Sequence, residues 1–147
     1  MEYRIKYELY NEPLPEGSKD KVQALELIGG FPWDEKYAIG AEEATFPSIS
    51  IINNSEKAML IITAVEKKID LLFVVECVRG EWLAERKGGP LISDISHVKV
   101  IEIVEFFCDQ NYAAIEQLDN SGFLSKLVRR LVFLFVSEKD FENLADD

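Results

Sequence analysis

Three or four β-like segments crowded into residues 48–86 leave this chain few ways to fold. Residues 48–52, 57–65 and 69–78 are rich in Ile, Val and Leu, and 81–86 sets Trp82 and Leu83 among charges. Only Asn53-Asn54-Ser55-Glu56, Glu66-Lys67-Lys68 and Arg79-Gly80 separate them. Connections of that length join neighbouring antiparallel strands and leave no room for a crossover helix, so the block predicts an antiparallel meander. Leu71-Leu72-Phe73-Val74-Val75 is apolar at every position, as a central strand covered on both faces would be. The 81–86 segment around Trp82 alternates and reads as more peripheral.

The flanks extend this picture. From Glu2 to Tyr10, Tyr3, Ile5, Tyr7 and Leu9 alternate with charged residues, the period of a strand with one wet face. Pro13 and Pro15 break the chain into a surface turn over 11–18. Residues 21–28 suit a short helix ending on a left-handed glycine at Gly29-Gly30, although Val22, Ala24 and Leu25 also tolerate an extended form. From Asp94 the spacing changes: Ile95, Val98, Ile101, Val104 and Phe107 or Cys108 make one stripe, opposed by Lys99, Glu102, Glu105 and Asp109. That is an amphipathic helix over 94–109, capped by Asp94 or Ser96. A second short helix is expected over 112–118, and helical spacing resumes over 123–130. Residues 131–136 read equally as helix or buried strand, and 137–140 open a last short helix. Strands followed by helices imply segregated layers. The expected fold is α+β, an antiparallel β-meander sheet with C-terminal helices packed on one face, in a single domain over 1–147.

Composition narrows function more than fold. An apolar fraction of 48% is that of a folded chain. The net charge of −11 argues against nucleic acid or an anionic membrane as ligand, since both demand clustered Lys and Arg, and favours a basic partner. The charged, alternating start lacks a signal-peptide core, and no apolar run reaches membrane-spanning length. Cys77 and Cys108 each sit inside an apolar run, too few for a disulfide framework, so a reducing cytoplasm is the expected location.

Few residues suggest chemistry. His97 is the sole histidine, expected on the solvated shoulder of its helix, and nothing pairs with it at the spacing of a nucleophilic triad or a zinc site. Neither a GxGxxG nor a Walker loop occurs. Carboxylate pairs such as Asp34-Glu35 and Glu42-Glu43 are what an acidic chain contains anyway, and Arg129-Arg130 suits the solvated flank of a helix. No catalytic set, no cofactor and no metal are expected.

The stretch 29–43, GGFPWDEKYAIGAEE, reads as a loop that mixes aromatics with acids. Two readings stay open. Phe31 and Trp33 can plug an open end of the sheet while the acids face water. Alternatively Trp33, Asp34, Glu35, Tyr37, Glu42 and Glu43 form a recognition surface, in which aromatics anchor a basic partner and carboxylates steer it. Trp82, between Glu81 and Glu85, is a further candidate contact.

Trp33-Asp34-Glu35, the strands from Pro47-Ser48-Ile49-Ser50-Ile51 to Val78, and the run from Ile101 to Tyr112 together give a layout that resembles bacterial polymorphic-toxin immunity proteins. Those are small acidic cytoplasmic α+β proteins without a catalytic set. The resemblance implies a non-catalytic inhibitor that docks an acidic surface over a basic partner such as a toxin nuclease. The other expectations are a small-molecule-binding or enzymatic α+β domain with a pocket between sheet and helices, and an adaptor subunit or nucleic-acid mimic.

Overall fold

A computed structural model describes residues 3–8, 18–42, 45–80 and 89–121. The expected turn over 11–17, the strand over 81–86 with Trp82, Glu43, and every element expected beyond residue 121 lie outside the described residues.

Six strands form one antiparallel sheet: β1 (Tyr3–Glu8), β2 (Ser18–Lys19), β3 (Ser48–Asn53), β4 (Ala58–Lys67), β5 (Leu71–Arg79) and β6 (Leu91–Ile95), in the spatial order β2-β1-β3-β4-β5-β6. β3, β4 and β5 are the first three strands of the expected meander. β6 was not expected as a strand, and its last two residues, Asp94 and Ile95, were expected to begin the helix over 94–109. Among the described residues four helices accompany the sheet: α1 (Lys21–Gly30) and α2 (Trp33–Glu42) between β2 and β3, then α3 (His97–Cys108) and α4 (Tyr112–Gln117) after β6. The fold is α+β, with the C-terminal helices on one face.

Alternation decides which face they cover. Ile51 pairs with Leu60, Ile62 with Val75 and Ala64 with Phe73. These residues share one core with Tyr3, Ile5 and Ile92, and that face carries Ala24 and Ile28 of α1, Trp33 of α2, and Val100, Ile103, Val104 and Phe107 of α3. Side chains on the opposite pleat of β5, Leu72, Val74 and Glu76, are half-buried. Phe73 is fully buried, as a central-strand residue should be.

The helix expected from Asp94 begins at His97 instead. Asp94 adopts φ 56°, a left-handed conformation that a helix does not continue through and that accompanies the irregular β5–β6 register there, and the Ser96 side chain caps the helix by accepting from the Lys99 N–H. The buried stripe is Val100, Ile103, Val104, Phe107 and Cys108. Val98, assigned to the apolar stripe from sequence, is 79% exposed. An apolar-rich helix admits neighbouring phases of the same period, and only packing against α1 and the sheet selects one.

Residues 29–43 are the second correction. Gly29 and Gly30 complete α1, no described glycine has positive φ, and a ten-residue helix follows. The start signals were present: Pro32 immediately precedes α2, Asp34 and Glu35 occupy its first turn where carboxylates favour the helix dipole, and the Lys36 N–H donates to the Pro32 carbonyl at 3.0 Å.

Candidate functional site

Proline 32 sets the geometry of the site. The Ile28 carbonyl is among the last four of α1, which have no intrahelical partner, and Pro32 has no N–H with which to extend the helix and supply one. Two side chains fill the gap. Trp33 Nε1 donates to that carbonyl at 3.2 Å, and His97 Nε2 lies 3.2 Å from it. One orphaned backbone oxygen thus ties the end of α1 to the starts of α2 and α3. Trp33 is drawn into the core, only 4% exposed, edge-on to Phe73 at 5.2 Å and to Phe31 at 4.7 Å. The His97 ring lies 5.9 Å from that of Phe73.

Around this knot opens a cleft of about 510 Å³. Its floor is Phe31, Trp33, Leu71 and Phe73, and its rim is Asp34 and Glu35 of α2, Asp70 of the β4–β5 turn, and Ser96 to Val98 at the start of α3. Lys67 at the end of β4 holds Asp34 at 2.7 Å, a bridge between two exposed groups. Glu35 and the Asp70 carboxylate have no side-chain partner among the described residues. Beside the rim stand two bare aliphatic side chains, Val98 and Ile69, the latter 94% exposed at the tip of its turn.

The residues proposed from sequence divide accordingly. Trp33 is core, so the plug reading describes it and the exposed-anchor reading does not: its only polar atom already caps α1. Asp34 and Glu35 are exposed on the cleft rim. Tyr37 is half-buried against the core, away from the cleft lining. Glu42 is exposed at the far end of α2, about 12 Å along the axis from Asp34 at 1.5 Å per residue. Glu43 and Trp82 lie outside the described residues.

His97 is likewise corrected. It is half-buried and oriented by a carbonyl, not a freely solvated helical side chain. Asp70, Leu71, Phe73 and Val98 were not foreseen as site residues. Ile69, expected to begin the 69–78 strand, lies instead in the turn before β5, which starts at Leu71.

Nucleophile chemistry finds little support elsewhere. Burial pushes the Cys77 thiol up to about 12 and the Cys108 thiol to about 11, which keeps both protonated and unreactive near neutrality. Among the described residues no group of three or more His, Cys, Asp or Glu could hold a metal ion, and no helix is long and apolar enough to cross a membrane. Comparison with protein-family models, curated proteins and solved structures yields no match to this chain.

Proposed function

We propose that the protein is a non-catalytic acidic binding protein of the immunity or inhibitor type, which occludes a basic protein partner such as a toxin nuclease. The observation that carries this reading is the joint placement of Asp34, Glu35 and Asp70 with the exposed aliphatics Ile69 and Val98 around one opening. Exposed carboxylates beside exposed aliphatic surface suit a partner that is basic and macromolecular: charge raises the encounter rate, and apolar burial sets the residence time. The overall charge of −11 acts in the same direction.

The test begins with capture of the partner and its identification. Association is then followed by stopped flow across a salt series for wild type and for the Asp34→Asn/Glu35→Gln/Glu42→Gln variant. Slower association with a flatter salt dependence is expected, because these charges act over a screening length of about 8 Å at physiological salt. A partner of acidic character, or association rates that match wild type at every salt concentration, defeats the reading.

A second reading is favoured by the enclosure of the cleft between sheet end and helix starts, a common location for small-molecule sites. In that case the melting temperature rises on incubation with a compound that perturbs the signals of Phe73 and His97, and no protein partner is recovered.

A further inference from the structure

We propose that the cleft is a receptor for a guanidinium group, an arginine side chain that the basic partner inserts between α2, the β4–β5 turn and the start of α3. This deepens the functional reading above and rests on it for the source of the arginine.

The hydrogen-bonding character of the lining is the first observation. Glu35 and Asp70 offer exposed carboxylates that have no side-chain partner among the described residues. A carbonyl can only accept, so the His97 Nε2 facing the Ile28 oxygen carries a hydrogen that is engaged there. Trp33 Nε1 is committed to the same oxygen and is lost as a donor to any ligand. A lining this rich in acceptors matches a group that only donates, and arginine presents five N–H donors in a fixed fork with no acceptor.

The aromatic floor is the second. Guanidinium is planar and weakly hydrated, and it stacks on aromatic rings, whereas the compact, strongly hydrated ammonium of lysine gains less from such surroundings. Half-buried Phe31 packs edge-on to Trp33, and Trp33 edge-on to Phe73, so the lining of the cleft is largely aromatic.

The third is size and setting. About 510 Å³ exceeds what a single guanidinium fills and leaves room for the aliphatic stem. Ile69 and Val98 stand where residues flanking the arginine would lie, which suits a folded protein surface better than a free cation. Asp34, paired with Lys67, steadies the first turn of α2 while Glu35 and Asp70 receive the fork.

The test uses the full chain, labelled with nitrogen-15 and titrated with Nα-acetyl-arginine amide, its uncharged citrulline counterpart and its lysine counterpart. Saturable shifts are expected at the Trp33 indole N–H and at the amides of Asp70 and His97 with the arginine compound. Citrulline should bind at least roughly tenfold more weakly, the effect of losing one charge-assisted interaction, and lysine should also bind more weakly. Glu35→Gln and Asp70→Asn, both at exposed positions, should each weaken the arginine compound several-fold with an unchanged melting temperature. Silence of those signals at tens of millimolar, or equal binding of citrulline or lysine, overturns the assignment.

The two levels fail separately. If the arginine compound occupies the cleft and no basic protein is captured, the receptor stands and the inhibitor reading falls. If a basic partner associates with the predicted salt dependence while the titration is silent and Asp70→Asn binds it normally, the inhibitor reading stands and the receptor falls.

Discussion

Helices α1 and α3 run antiparallel, and their two shared ends are built from similar residues to opposite effect. At the end where α3 finishes, Tyr3 donates to the Cys108 carbonyl at 2.8 Å, Phe107 packs edge-on to Tyr112 at 6.1 Å, and Lys21 bridges to Asp109 at 2.7 Å. Aromatics there are fully enclosed and carboxylates are paired. At the end where α3 begins, Phe31, Trp33, Phe73 and His97 gather just as densely, yet they floor an open cleft, and Glu35 and Asp70 have no side-chain partner among the described residues. Aromatic density alone therefore does not mark a binding surface. What distinguishes the two ends is that one set of aromatics is enclosed and the other floors an open cleft with exposed carboxylates on its rim.

Alkaline pH should separate the two ends most sharply. Burial raises the phenol of Tyr3 and lifts Tyr112 to about 12, alongside Cys77 at about 12 and Cys108 at about 11, and none of these groups lines the cleft. In the unfolded chain thiols ionise near 9 and phenols near 10. The folded state resists ionisation, so stability is fully present below about pH 9 and is lost as pH climbs toward 12. Melting curves between pH 8 and 12 should show a steep fall beginning near 9; a flat profile to pH 11 would mean that these groups are wet.

Single truncations come next. Phe107→Ala should cost about 3–5 kcal/mol in denaturant unfolding, the usual loss for a fully buried phenylalanine. Trp33→Ala should cost a comparable amount, since it empties a core position and orphans the Ile28 carbonyl again. Should Trp33→Ala leave unfolding unchanged, the cleft floor is not part of the core, and the contrast between the ends becomes one between rigid and yielding.

A smaller effect is expected from Tyr3→Phe, about 1–2 kcal/mol, from a buried carbonyl left without its donor. Smallest is Asp34→Asn: loss of an exposed ion pair should change stability by less than about 1 kcal/mol. Its partner kinetics, by contrast, should change. An Asp34→Asn variant that loses several kcal/mol of stability would turn the rim into scaffold and erase the distinction drawn here.

Much of the fold was legible because its signals are local. Hairpin-length gaps between apolar runs determine that β3, β4 and β5 are adjacent and antiparallel, whatever packs on them. Binary alternation placed Tyr3 and Ile5 on one face of β1. The errors have specific causes. Residues 29–43 read as a loop because two glycines and a proline outweighed the acidic first turn that begins α2. The phase of α3 was taken one step off because Val98 and Val100 are equally apolar in sequence.

The cleft was harder to see, since its parts come from residues 31–35, 69–73 and 96–98, three segments with no common pattern. What the sequence by itself determined was the antiparallel order of the meander, the acidic balance and the lack of any local catalytic motif, each a property of neighbouring residues or of simple counts. Tertiary structure decided that Trp33 is a helix cap and not a surface anchor, that His97 faces a carbonyl, and that Asp70 joins Glu35 across the opening. The physical reason is one missing N–H. Pro32 announces in the sequence that the Ile28 carbonyl will lack its helical partner, but which distant side chains supply the hydrogen depends on where the sheet brings α3 back beside α1.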